Sequence, residues 1–190
     1  MSLKNKWEII LSGVGGQGLI AGGTILGKAA TIHEGKNAVL TSSYGTETRG
    51  TFSKSDVVIS KDEIYYPEVM NADIVVALAQ VAYNKYVKEL DEKTILIYDA
   101  DSVLNAVEGR ANQYAYPITS LAREIGHVAV ANTIALGIIV KNTGVVSEES
   151  IVKALEENFG EKSKILDLNI AAFKKGLEIA LNTNNELLGC

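Results

Sequence analysis

The run Ile9-Ile10-Leu11-Ser12-Gly13-Val14-Gly15-Gly16-Gln17-Gly18 constrains this chain more than any other stretch. An apolar segment of strand length gives way to four glycines within six residues, and then directly to residues 19–30, which read as a helix. Strand, glycine turn and helix in that order bring bare backbone N–H groups and a helix N-terminus up to an anion. Gly13, Gly15 and Gly18 also satisfy G-x-G-x-x-G. Gly22, Gly23 and Gly27 each cost about 1 kcal/mol relative to Ala inside a helix. The sequence therefore predicts that this helix packs closely enough to offset the loss.

Further along, the same alternation continues. Residues 37–42 read as a second strand, followed by the polar segment Ser43-Tyr44-Gly45-Thr46-Glu47-Thr48-Arg49-Gly50. Residues 51–60 give another strand, and 61–71 a polar connection with Pro67. Asp-Ile-Val-Val-Ala-Leu at 73–78 is a continuous apolar run of the kind buried parallel strands carry. Residues 80–90 have helical spacing, 94–98 form a strand, and 113–116 a short edge strand closed by Pro117. Helices are expected at 119–125, at the very apolar 131–141, from the Ser147 cap to Phe159, and at 165–181. Strands alternating with helices predict an α/β fold: one Rossmann-like, doubly wound domain over residues 1–190, mostly parallel, with helices on both faces. Residues 1–6 and 182–190 are expected to be flexible ends. Ligands in such sheets sit beyond the carboxyl ends of the strands. That places the glycine turn, residues 43–50 and Ala79-Gln80 at one edge.

Composition excludes several classes. A net charge of −5 without any Lys/Arg cluster argues against nucleic acid. No apolar run approaches the roughly 20 residues of a membrane span, and no signal-peptide core is evident, so the cytoplasm is expected. The single cysteine, Cys190, cannot close an internal disulfide or ligate a cluster, and His33 and His127 lack metal-ligand companions. No metal site is expected.

An NAD site requires an acidic residue at the end of the second strand. Thr41-Ser42-Ser43 stands there instead, with Glu34 before the strand and Glu47 beyond it. No Gly-Lys-Ser/Thr follows the turn, and no nucleophile elbow or catalytic triad pattern is present. The catalytic residues stay unassigned. Residues 43–50 admit two readings on chemistry alone: a solvated connection in which Glu47 and Arg49 pair, or a polar wall facing the glycines. In the second, the Arg49 guanidinium is a fork for carboxylate or phosphate.

Gly13-Val14-Gly15-Gly16-Gln17-Gly18 followed by Ser43-Tyr44-Gly45-Thr46-Glu47-Thr48-Arg49-Gly50 resembles the γ subunit of the 2-oxoacid:ferredoxin oxidoreductases, the pyruvate/ketoisovalerate oxidoreductase catalytic domain family. The Pro67 region leading to residues 73–78, and Asn132-Thr133-Ile134-Ala135-Leu136-Gly137, fit as well. The match departs after Arg49, where Gly50-Thr51 replaces an expected pair of glycines.

The resemblance implies a multisubunit enzyme that converts a 2-oxoacid, coenzyme A and oxidised ferredoxin to an acyl-CoA, carbon dioxide and reduced ferredoxin. It implies α and β subunits as partners, with a δ subunit in some complexes, and ferredoxin met through the complex. Thiamine diphosphate, magnesium and iron–sulfur clusters would lie on those partners, leaving this chain without a cofactor of its own and inactive alone. Among substrates 2-oxoglutarate is preferred, because the short stand-alone chain resembles such γ subunits. By the same resemblance Gly13, Gly15, Gly16, Gln17 and Gly18 form a backbone cradle near the coenzyme A path. Ser43, Tyr44, Thr46, Glu47 and Arg49 form its polar wall. Two other readings stay open: a scaffold module whose glycine turn only packs on partner subunits, and an independent nucleotide-dependent oxidoreductase.

Overall fold

The computed structural model describes residues 4–44, 51–160 and 163–187. The chain runs β1 (Lys6–Val14), α1 (Leu19–Ile32), β2 (Asn37–Tyr44), β3 (Phe52–Ser60), β4 (Ile74–Ala77), α2 (Gln80–Tyr86), β5 (Ile95–Asp99), β6 (Asn112–Tyr116), α3 (Ile118–Ile125), a 3-10 turn (Val128–Val130), α4 (Ala131–Thr143), α5 (Glu148–Phe159) and α6 (Ser163–Leu187). Six strands form one sheet in the order β2-β3-β1-β4-β5-β6. The β1–β4, β4–β5 and β5–β6 pairs are parallel, while β3 runs antiparallel to both β1 and β2.

The direction of β3 follows from chain length. Parallel neighbours need a crossover of a dozen or more residues, and only residues 45–51 separate β2 from β3. The chain therefore folds straight back, and β3 slots between β2 and β1. As a result the second strand of the sequence is not the neighbour of the first.

Alternation along β1 divides the core. Ile9 and Leu11 face a large cluster with Leu26, Ile134, Leu136 and Phe173, built by α1 and α3–α6. Ile10 faces the other way, against Val75, Tyr83 and Leu96 beneath α2. Both faces are thus covered, one by five helices and the other by one.

Gly23 meets the expected packing: a Cβ there would collide with Ser55 Oγ and Leu40 and lie 3.2 Å from Val57 Cγ2. Gly22 approaches Leu11 more loosely, at 3.4 Å. Gly27 does not pack at all, because nothing lies within 4 Å of its absent Cβ; its cost is not offset there. The closest helix contact is elsewhere, where α4 crosses α6. A Cβ on Gly137 would strike the Phe173 carbonyl oxygen and lie 2.8 Å from Gly176 Cα.

Several ends differ from the sequence expectation. The helix after β4 stops at Tyr86, and a turn carries the chain on through Leu90 N donating to Tyr86 O. The last helix continues past Leu181 to Leu187. Lys4 is tied down by an ion pair to Asp73. Asp99 is fully buried and accepts from Ser102 Oγ, Thr119 N and Thr119 Oγ1, while Asp101 accepts from Ser120 N. These carboxylates cap the β5 turn and anchor α3. Burial alone would raise the pKa of Glu8, but bonds from Lys6, Asn71 N and Met70 N hold it below the ordinary glutamate value. That carboxylate pins the start of β1 to the approach of β4.

Gly27→Ala is expected to raise stability by about 0.5–1 kcal/mol, through helix propensity with no clash. Gly137→Ala should lower it by about 1–3 kcal/mol, because the α4–α6 backbones must separate. Chemical denaturation of the two variants checks the pair, and equal effects would contradict the packing described.

Candidate functional site

The turn between β1 and α1 is held open by Gln17. Its Oε1 accepts from Val14 N at 2.8 Å, and its Nε2 donates to Leu78 O at 2.8 Å. Gln17 N also donates to Val14 O at 3.3 Å. One side-chain amide therefore joins the end of β1 to the residue after β4. A Cβ on Gly13 would collide with Gln17 Oε1 and displace that amide. Gly16 and Gly18 have positive φ, 94° and 71°, a region that L side chains rarely adopt. Gly18 is the N-cap of α1, and its carbonyl accepts from Asn132 Nδ2 at 2.8 Å. Asn132 heads α4, so the helix behind the sheet braces the turn.

What the turn presents is backbone. Among the described residues, the N–H groups of Gly15, Gly16, Gly18, Leu19, Ile20 and Ala21 have no acceptor. No side chain caps α1, and its first turn has no acidic residue. These N–H groups, with the positive end of the α1 dipole, are the chemistry of an anion site. Val14 to Ala21 and Ser53 enclose an open hollow of about 310 Å³. No Cβ-blocking atom lies within 4 Å of Gly15 or Gly16. Among the described residues no charged side chain lines the hollow, and what they offer an anion is N–H groups and the helix dipole.

The register brings the predicted strand ends together. Gly13 pairs with Ser53, and Ser53 pairs with Tyr44 on its other side. Two strand spacings, about 10 Å, thus separate the Gly13 and Tyr44 backbones. Ser43 pairs with Lys54. Directly opposed residues share a face and neighbours alternate. Ser55 Oγ abuts Gly23 of α1, so Ser53 faces the α1 side. Lys54 and Ser43 belong to the α2 side, away from the hollow. Thr46, Glu47 and Arg49 lie outside the described residues.

Residues that the sequence did not single out complete this edge. Ser53 lines the hollow, and Asn132 braces it. Asn132 had a signal, as a polar residue heading an otherwise apolar helix. Lys54 is ion-paired with Asp56, which is 4% exposed. Among the described residues, Ser55 Oγ and Asp56 Oδ1 are buried without a hydrogen-bond partner. On the α2 side Phe52 meets Tyr86 at 6.1 Å between ring centroids, with Lys85 Nζ 4.6 Å from the Phe52 ring. Burial pushes the Tyr86 phenol well up, and the Asp56 charge adds to the shift. These apolar and cationic contacts depend on packing of α2 against β3, segments far apart in sequence.

A larger hollow of about 540 Å³ opens at the opposite end of the sheet, among Trp7, Lys61, Lys141 and Val145. It shares no residue with the glycine turn. His127 Nδ1 accepts from Ala129 N and caps the 3-10 turn, and His33 Nε2 lies 3.2 Å from Glu157. Among the described residues, no group of three or more His, Cys, Asp or Glu side chains is placed to hold a metal ion. None of the helices described is long and apolar enough to cross a membrane.

Comparison with known proteins gives a consistent picture. Residues 8–179 match the family model described as pyruvate ferredoxin/flavodoxin oxidoreductase. The 2-oxoglutarate synthase subunit KorC of Methanocaldococcus jannaschii is 42% identical over 181 residues, covering 94% of this chain and 96% of that protein. The crystal structure of a keto/oxoacid ferredoxin oxidoreductase γ subunit from Geobacter sulfurreducens superposes with a TM-score of 0.81 at 41% identity, covering 93% of this chain and 99% of that one. The 2-oxoglutarate:ferredoxin oxidoreductase of Magnetococcus marinus, solved with 2-oxoglutarate, coenzyme A and succinyl-CoA bound, shares the fold at a TM-score of 0.85 and 24% identity. This chain covers 32% of that longer polypeptide, and 94% of this chain is matched.

Gln17→Ala should leave the Val14 N–H and the Leu78 carbonyl unpaired, at a cost of about 1–3 kcal/mol. Amide hydrogen exchange at Val14 is expected to accelerate by at least tenfold. Unchanged exchange there would show that the turn does not depend on this amide.

Proposed function

The chain belongs to the pyruvate ferredoxin/flavodoxin oxidoreductase family as a γ-type subunit of a 2-oxoacid:ferredoxin oxidoreductase, and we propose that its glycine turn forms part of the coenzyme A site of a complex acting on 2-oxoglutarate. The observation that carries this reading is the set of unpaired N–H groups of Gly15, Gly16, Gly18, Leu19, Ile20 and Ala21 at the start of α1. Coenzyme A offers phosphates that such groups bind, and a bare backbone lets them approach closely. The likeness to KorC proteins named for 2-oxoglutarate supports the substrate.

In this reading the chain binds and orients, and partner subunits react. The α and β subunits would hold thiamine diphosphate and magnesium, which would supply the chemistry of 2-oxoacid decarboxylation, and iron–sulfur clusters on them or on a δ subunit would supply the electron path to ferredoxin. The Gly13–Gly18 turn, stiffened by Gln17, holds one phosphate group, and Ser53 borders it. Arg49, with Tyr44, Thr46 and Glu47, is assigned to the wall that completes the site, and Ser43, opposite Lys54 on the α2 side, drops out of it. An open site at the sheet edge holds an exposed phosphate weakly, because solvent screens it. The isolated chain is therefore expected to bind coenzyme A poorly and to lack activity. The complex is assigned to the cytoplasm.

The topology weighs against an independent nicotinamide enzyme. A ribose-binding carboxylate needs the strand beside β1, at the crossover from α1. Here β3 occupies that place, entering from the opposite direction.

Gly15 provides a test, since its φ is not positive and its Cβ direction is empty. Gly15→Asp would place a carboxylate among the free N–H groups, where the dipole favours it by about 0.3–1 kcal/mol. The variant is expected to fold at least as stably as the natural chain. In the assembled complex, KM for coenzyme A should rise at least tenfold while ferredoxin reduction at saturating coenzyme A persists. Unchanged KM would remove the ligand role, and failed assembly would favour the scaffold reading.

A further inference from the structure

We infer that β2 is the docking strand of this subunit, and that an extended segment of a partner subunit of the oxidoreductase pairs with its free edge to continue the sheet. This rests on the reading of the chain as part of a multisubunit enzyme. β2 is the terminal strand of the sheet. It pairs with β3 through eight consecutive residues without a bulge, from Asn37 opposite Ser60 to Tyr44 opposite Ser53. In such a pair alternate residues turn their N–H and C=O groups outward, and among the described residues no strand receives those of β2.

Natural proteins guard such edges with charge, proline, bulges, brevity or a covering element. Among the described residues β2 has none of these protections. Its sequence, Asn-Ala-Val-Leu-Thr-Ser-Ser-Tyr, contains no charged residue, proline or glycine. Leu40 is 37% exposed, and Asn37, Ser42 and Ser43 are exposed as well. Ile32, in the last turn of the helix that covers β2, is 59% exposed. The opposite edge differs: β6 spans only five residues and is closed by Pro117.

A partner subunit suits this edge better than a second copy. Two β2 strands meeting alone would form a ribbon about 27 Å long and one sheet thick, burying on the order of 500 Å² in total. Stable interfaces bury roughly 1,200 Å² or more. A larger subunit can reach that area while donating one strand. In the Magnetococcus structure the same fold is continuous with about twice its own length of further polypeptide, since this chain covers 32% of it. β2 also ends beside Ser53 and the glycine turn. A strand added there would run along the same edge of the sheet toward the proposed coenzyme A site.

Hydrogen exchange of residues 38–44, in the isolated natural chain and in the reconstituted complex, tests the inference without any substitution. Assembly is expected to slow exchange of the outward β2 amides at least tenfold. The double variant Asn37→Lys and Ser42→Lys puts charge on the edge, at positions already exposed. It should keep the melting temperature of the isolated chain and weaken assembly at least tenfold. Unprotected β2 amides in an active complex would overturn the docking strand while leaving the coenzyme A reading intact. Protected amides with a coenzyme A KM insensitive to Gly15→Asp would do the reverse. A β2-protected dimer of the isolated chain, dissolved by the lysines in sedimentation velocity, would replace the partner with a second copy and overturn the inference.

Discussion

The Gln17 side chain links two strand ends that the sheet hydrogen bonds leave loose. By bonding Val14 N and Leu78 O at once, it fixes the glycine turn relative to β4 as well as β1. Asn132 adds a second brace through the Gly18 carbonyl. With those two amides in place, the first turn of α1 can leave its N–H groups uncapped without collapsing. A glycine at the N-cap costs only a few tenths of a kcal/mol against a good side-chain cap. Here Gly18 supplies none, and the hollow outside it stays open.

The insertion of β3 shapes everything on the other side of that turn. A direct β1–α1–β2 unit would have put the second strand's end beside the glycines. Instead β3 intervenes, contributes Ser53 to the hollow, and moves β2 to the outside of the sheet. The same insertion that alters the ligand edge thus creates the open, uncharged strand edge. Both proposed surfaces of this subunit come from one short connection.

Much of this was legible from residue patterns. The apolar 73–78 run gave a buried parallel strand, Ser147 capped its helix through Ser150 N, and the four-glycine turn lay where a ligand edge requires. The order of strands was less visible. Hydrophobic alternation fixes which residues face inward, but not which strand stands next to which. The length of residues 45–51 did encode the direction of β3, through the crossover that a parallel pair would need. Gly22, Gly23 and Gly27 looked alike in sequence, yet only a three-dimensional neighbour distinguishes a packed glycine from a free one. Ser53 and Asn132 reach the site through register and helix packing, which no local spacing reveals. The assignment of Gln17 to the loop is clear in the geometry, because both ends of its amide are occupied by backbone.

The central claim is that the free N–H groups at the start of α1 bind an anionic group of coenzyme A. The most direct measurement is a coenzyme A titration of the assembled complex carrying this subunit labelled with 15N at glycine, read by amide NMR. The account predicts saturable shifts at Gly15, Gly16 and Gly18, with Gly27 and Gly137 unmoved. Resonances at the turn that stay fixed while the complex consumes coenzyme A would contradict it.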